Sequence, residues 1–391
     1  MLREEASALL CLKENKLMKY SNIGGQAVME GVMMRNGALY AVAVRTADNQ
    51  ITVQTDAHHH SAAGKVRKIP IVRGVVAFVD SLVLGMKALM FSADRFAEES
   101  EKELEERLAQ EQKKAKKKAE KLQRAGREKE AASVLEKAGE NAQKERETLR
   151  ERSRSGNGKS EDSDNTVLLT LTVIISLVVS VALFMMLPYF LSRLLKGIGA
   201  PEAVISIMEG VLRLAIFFGY MLLISRMKDI QRTFMYHGAE HKCINCIEHG
   251  LELNVENVRK SSKEHKRCGT SFLLFVMIVS IVFFLFIRTP DPVMRIVIRL
   301  LLIPVVAGVS YEFIRLAGLY DNRFVNALSK PGLALQGLTT REPDDAQIEV
   351  GIASVEAVFN WKKYLNENFG AHYVLTEADE PRGGKELYTL R

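Results

Sequence analysis

Four long apolar runs set the terms for any fold of this chain. Val167–Leu195 is free of charge as far as Ser192, and Ser271–Ile287 is uncharged throughout. Ala203–Ile224 is interrupted by Glu209 and Arg213, and Ile296–Ile314 carries Arg299 near one end and Glu312 near the other. At about 1.5 Å rise per residue, even the shortest run covers roughly 25–30 Å of hydrocarbon. In lipid, a lone segment satisfies its own backbone only as a helix. The predicted fold class is therefore mostly α, a polytopic membrane protein with four transmembrane helices over residues 166–315. Pro188 and Pro304 predict kinks in two of them. The mean hydropathy of −0.01 resembles that of a soluble protein only because charge concentrated elsewhere cancels these runs.

The basic residues give the chain its orientation. The segment 226–270 between spans two and three holds Arg226, Lys228, Arg232, Lys242, Arg259, Lys260, Lys263, Lys266 and Arg267. The loops on the other side hold only Arg193 and Lys196, then Arg288 and Arg295. By the positive-inside rule, both termini and the large loop are expected in the cytoplasm of a bacterial cell, with the spans in its inner membrane. This explains the excess of 54 Lys+Arg over 47 Asp+Glu without invoking nucleic acid. Met1–Asn22 lacks the apolar core of a cleaved signal. Four cysteines are too few for a disulfide-stapled scaffold.

The remaining sequence divides around the spans. Residues 20–97 are expected to form a cytoplasmic α+β segment, with Ala38–Arg45 and Ile51–Thr55 as a hairpin turning at Asp48-Asn49. Ile71–Phe91 carries Arg73, Asp80 and Lys87 at helix-turn spacings. It reads as an amphipathic helix against the membrane or the cytoplasmic domain, rather than a fifth span. Residues 98–165 are rich in Glu, Lys, Arg and Ala and read as a solvated charged helix or partly disordered linker. Residues 316–391 form a cytoplasmic C-terminal segment, with an amphipathic helix over Asp344–Val358. His58-His59-His60 reads as a solvated loop. Gly24-Gly25-Gln26-Ala27-Val28 lacks the lysine and spacing of a phosphate loop, and Glu30 with Arg35 reads as a buried pair or a support to the site.

The residues suited to chemistry gather in the basic loop: His237, Glu240, His241, Cys243, Cys246 and Glu248, then His265, Arg267 and Cys268. If span two continues as a helix to Gly250, His237, His241 and Glu248 share one stripe. At about 100° per residue, Glu240 lies roughly 60° to one side of that stripe, and the two cysteines face away. Histidines at i and i+4 chelate a divalent ion, and a carboxylate between them in the H-x-x-E-H order takes a proton from attacking water. Span three must return beside span two, which brings His265 and Cys268 to the depth of the histidine pair. A competing pattern, Cys243-x-x-Cys246 with His265-x-x-Cys268, has the spacing of a structural zinc knuckle. Glu312 is expected near the depth of the site, as an interfacial carboxylate or a participant. No nucleophile-elbow, kinase or ATPase motif is present.

The strings GGQAVMEGVMMR, HGAEHK, HKRCGTSF and PGLALQGLTTREPDDAQIEV resemble those of the YqhQ-type bacterial membrane proteins. That family is of unknown function and is labelled metal-dependent by motif. The likeness covers roughly residues 20–95 and 165–360. It implies a pattern through His237, Glu240, His241, Glu248, His265, Arg267 and Cys268 that omits Cys243 and Cys246, favouring the first metal arrangement over the knuckle. The resulting expectation is a metal-dependent hydrolase at the cytoplasmic membrane surface. His237, His241 and one or more of Glu248, His265 and Cys268 would hold Zn²⁺, Glu240 would activate water, and Arg267 would stabilise developing negative charge. A lipid or membrane peptide is the expected substrate, with a membrane protein or a second copy as possible partner. The alternative is a non-enzymatic scaffold or insertion-associated protein, in which the same residues clasp spans two and three. A transporter is disfavoured because Glu209 and Arg213, at i and i+4, suit a mutual pair.

Overall fold

The computed structural model describes residues 19–46, 48–58, 69–124, 127–156, 163–286, 291–319, 323–381 and 384–390. His59 and His60, and the N-terminal stretch before Lys19, lie outside them. A five-stranded antiparallel sheet in the order β1-β2-β3-β4-β5 comprises β1 (Gly24–Val28), β2 (Gly31–Asn36), β3 (Leu39–Arg45), β4 (Ile51–Ala57) and β5 (Glu386–Leu390). The expected hairpin is β3–β4, with Asn49 at φ 61° in its turn. A second hairpin, β1–β2, turns at Glu30 with φ 51°.

Side chains alternate across a strand, so the sheet has two buried faces. Val32, Met34, Ala41, Ala43 and Val53 pack on one side against α6 (Lys228–Glu248), α11 (Asp345–Glu356) and α12 (Trp361–Phe369). Met33, Tyr40, Val42 and Val44 pack on the other against Leu84, Ala88 and Phe91 of α1 (Val72–Arg124). The amphipathic helix expected over Asp344–Val358 is α11, capped by Asp344 and Gln347 in a reciprocal box.

The charged stretch after the sheet is helical. α1 runs to Arg124 and α2 (Glu128–Gly156) returns along it, joined by Arg107–Glu145 and Arg146–Glu105 pairs. The remaining helices are α3 (Ser163–Val181), α4 (Leu187–Arg193), α5 (Glu202–Ile224), α7 (Val255–Lys260), α8 (Gly269–Phe286), α9 (Pro292–Leu319) and α10 (Arg323–Thr339). Five segments are long and apolar enough to cross a membrane, one more than the sequence suggested: Val72–Phe96, Ile174–Ile198, Glu202–Ile224, Gly269–Phe286 and Val293–Ala317. The added one contains the run first read as an amphipathic surface helix. Three charges in Ile71–Phe91 hid a stretch that is otherwise apolar, with Leu82 and Met86 exposed. Before Pro188 the helix relaxes into a π-helical turn, Ala182–Met186.

Glu209 and Arg213 do pair, at 2.9 Å, but Arg299 joins them at 2.6 Å, and both guanidiniums stack on Phe284. This buried knot ties α5, α8 and α9 together.

Candidate metal centre

The helix carrying the histidines is not a continuation of span two. α5 ends at Ile224, the chain breaks at Ser225–Met227, and α6 begins afresh at Lys228. The break frees α6 to enter the sheet's core, where residues 238–248 are buried throughout. Cys243 and Cys246 lie on its core face, Cys243 against Gly351 and Cys246 toward the Glu252 carbonyl. The zinc-knuckle arrangement is therefore not assembled, because its two cysteines point away from Cys268.

The opposite face of α6 carries the site. One potential ligand atom from each of His237, His241 and Cys268 lies within 4.8 Å of the others, the only such group among the described residues. His237 Nδ1 is 2.9 Å from the Thr339 carbonyl and His241 Nδ1 is 2.6 Å from the Lys263 carbonyl. A carbonyl only accepts, so each Nδ1 carries its ring's hydrogen, and each Nε2 presents a lone pair to the centre. His237 Nε2 lies 3.2 Å from Cys268 Sγ, which also receives the Thr270 N–H at the first turn of α8. The Glu240 carboxylate stands 3.8 Å from His237 Nε2 and 3.7 Å from His241 Nε2. Burial pushes its carboxyl above the usual range, against the pull of His237 and the Gly25 N–H.

Neighbouring segments hold these groups by their backbones. Lys242 donates to the Arg259 and Ser261 carbonyls, and Asn245 to those of Ser262 and Glu264. Lys242 and Asn245, with His241, thus fasten the loop that ends at Cys268. Gln336 of α10 closes the same loop by accepting the His265 N–H and donating to its carbonyl. On the far side, a Cβ at Gly238 would meet the Arg341 carbonyl oxygen at 2.0 Å. That contact explains the glycine in the H-G-A-E-H string: only a bare Cα lets the Thr339–Arg341 segment approach His237.

Other sequence candidates lie around this centre rather than in it. His265 faces Glu248 at 3.6 Å, and its ring centroid is 5.6 Å from that of His241. Burial pulls the His265 imidazole down to about 4, against the opposing effect of Glu248. Burial works against ionised Glu248 as well, but His265, Arg267 and the Ser21 N–H together hold it below the usual range. Arg267 pairs with Glu248 and stacks over Tyr20 at 4.7 Å. Glu248 is thus an anchor for the segment entering the sheet. Glu30 pairs with Arg232 and Tyr236, not with Arg35, and Glu312 pairs with Arg73. His58, read as part of a solvated loop, is buried 3.7 Å from Asp80.

Sequence reasoning missed three contributors. The Thr339 and Lys263 carbonyls could not be named from side-chain chemistry, although the string around Thr339 marked the segment. Gly25 lies in the glycine pair found uninformative, and its Cβ would sit 3.0 Å from Glu240 Cγ. Gly24 faces open space, but a Cβ at Gly25 would meet the Met33 carbonyl at 2.3 Å before Glu240, so Gly25 serves close strand pairing beside a carboxylate rather than phosphate binding.

Beside the centre lies a cavity of about 840 Å³, lined by Glu240, the three histidines, Arg35, Arg267 and Cys268 on one side. Its other side, from α1, α8 and α9, is largely apolar apart from Asp80 and Ser81.

The donors present suit an ion. Ligand atoms of a tetrahedral zinc site stand roughly 3.3–3.8 Å apart, so a small contraction closes this trio, and two imidazoles with one sulfur match the preference of Zn²⁺.

A family model described as "Protein of unknown function (DUF1385)" matches residues 69–361. The protein named "Uncharacterized protein YqhQ" of Bacillus subtilis (strain 168) is 33% identical over 347 residues, covering 88% of this chain and 94% of that one. No solved structure matches. With three quarters of its length under one model and a full-length relative at that identity, the chain belongs to the DUF1385 family of YqhQ-type proteins.

Proposed function

We propose that this protein is a zinc-dependent hydrolase working at the cytoplasmic face of a bacterial inner membrane, on a lipid or membrane-peptide substrate. One observation carries the reading: two imidazoles, each locked by a backbone carbonyl at Nδ1, turn both Nε2 lone pairs toward one cysteine sulfur. A bound ion would polarise the scissile group and ease ionisation of water. Glu240 sits within reach of both imidazoles, buried and raised, so that it can take a proton from water and pass it to the leaving group. Arg267 faces the cavity with its Nη2 held by Glu248, and so adds fixed positive charge to the wall.

Strand pairing supports the four-span topology. β5 adds to β4, so residues 51–57 and 386–390 belong to one body on one side of the membrane. The chain between them crosses an even number of times, which four spans satisfy and five do not. The basic loop packs into that same body, and the positive-inside rule favours the cytoplasmic side for it.

The test is metal analysis of purified protein together with hydrolysis of ester and phosphoester reporters. His237→Ala is expected to lose the ion. Glu240→Gln is expected to keep the ion and lose at least 100-fold in turnover, within the usual range for a positioned acid–base group, about 10²–10⁴. Protein without an ion, or an ion that survives His237→Ala, sinks the proposal. Full turnover in Glu240→Gln with an unfolded His265→Ala assigns the cluster to a structural clasp instead.

A further inference from the structure

The cavity beside the centre has a position and a shape that narrow the substrate. α1 begins against α9: a Cβ at Gly74 would touch the Gly308 backbone, and Arg73 pairs with Glu312. Ten residues beyond Gly74, Leu84 is already in the sheet's core. At 1.5 Å per residue that interval rises about 15 Å, half the hydrocarbon thickness of roughly 30 Å. With the even crossing number, this makes α1 the segment that enters one leaflet beside α8 and α9 without traversing the bilayer. Phe78 of α1 meets Phe272 of α8 at 5.6 Å between ring centroids.

The apolar wall of the cavity is this seam: Phe78 and Leu82, Phe272 and Leu273, Tyr311 and Ile314. Leu82 and Leu273 are 57% and 45% exposed beside this wall, apolar side chains suited to face lipid. The cavity is therefore continuous with the inner leaflet at one end and with the histidine–cysteine centre at the other. Its charged lining is Arg35 and Arg267 against Asp80 and Glu240. A divalent ion on His237, His241 and Cys268 would add positive charge, net of the thiolate, on the same side of the cavity as Arg35, in a medium that penalises uncompensated charge.

We infer that this cavity takes an inner-leaflet lipid with an anionic phosphoester head, its chain lying in the α1–α8–α9 seam and its head between Arg35 and the metal centre. The charge argument rests on the ion reading above; the apolar wall and its exposure do not. In the reaction, a water oxygen bonds to phosphorus as the ester oxygen departs, and the water's proton reaches that oxygen through Glu240.

The test uses the full chain in phosphatidylcholine nanodiscs containing a photoactivatable phosphatidylglycerol. A diacylglycerol with the same photoactivatable chain is run in parallel, and crosslinks are mapped by peptide mass spectrometry. The anionic probe is expected to label the Phe272–Leu273 and Phe78–Leu82 peptides at least fivefold over the exposed lipid-facing stretch at Leu177–Val178. The uncharged probe is expected to show no such enrichment. Arg35→Gln and Leu82→Trp, checked for unchanged thermal unfolding and ion content, should each remove the enrichment. Equal labelling of seam and reference stretch overturns the inference, and equal enrichment of the uncharged probe overturns its anionic head. Zinc content of the same samples separates the two readings. Bound ion without enrichment refutes the lipid alone, and enrichment without an ion refutes the metal centre while the lipid site stands.

Discussion

Replacing Gly238 by alanine tests how the proposed metal centre is held without touching a candidate ligand. The added methyl would lie 2.0 Å from the Arg341 carbonyl oxygen, whereas ordinary contact begins at 3.4 Å, so the segment must retreat by about 1.4 Å. The nearer atoms cannot yield separately: Arg341 N–H donates to the Phe234 carbonyl at 2.9 Å, and the Thr339 carbonyl lies 2.9 Å from His237 Nδ1. A displacement of that size takes the His237 bond well past hydrogen-bonding distance. Overpacking of this kind costs about 1–3 kcal/mol of stability, and loss of a group that orients a histidine ligand costs about 10–100-fold in metal affinity. Zinc affinity by chelator competition and thermal unfolding in detergent measure the two effects. Gly337→Ala, one turn away on α10 with nothing within 4 Å of its Cβ, is the control and should change neither. If Gly238→Ala binds zinc as tightly as the native chain, the Thr339 carbonyl does not orient His237, and the reasoning from backbone support fails.

Two further outcomes follow from buried charge. The folded state holds His265 near 4 while the unfolded chain titrates near 6.5, so the unfolded state binds the extra proton as pH falls between them. Stability should be complete above about 6.5 and decline toward 4, by on the order of 2–3 kcal/mol. Urea titrations of metal-free protein across that window should show the decline, and His265→Gln should flatten it. Glu209→Gln leaves Arg213 and Arg299 sharing no carboxylate inside the helix bundle and should cost about 3–5 kcal/mol. An unchanged unfolding temperature in detergent would show that Phe284 and Ser280 suffice to hold the knot.

The long apolar runs told most of the architecture in advance, because a span must be predominantly apolar over its length, and the few charges inside these are paired with one another. The apolar length of Val72–Phe96 was harder to see, because Asp80 is buried against His58, and a charge matched by tertiary structure looks like polarity in a bare sequence. The break at Ser225–Met227 left no proline or glycine to announce it, since packing of α6 on the sheet decides where α5 stops. At the site, the i, i+4 histidines and the later cysteine were legible from spacing and the return of the chain. Glu248 and His265 were legible as candidate ligands, but their partners, one another, Ser21 and Arg267 among them, come together only in the fold and set their place beside the centre. The carbonyls of Thr339 and Lys263 carry no side-chain signature at all.

The fifth strand has a bearing on biosynthesis. Residues 386–390 complete a sheet whose first strand begins at Gly24, and every membrane helix is synthesised in between. Until the last of them has left the ribosome, β4 offers a bare edge to any passing strand. A stalled or clipped chain of this protein would therefore carry an adhesive flank beside its finished bundle, a mark that a quality-control protease can read.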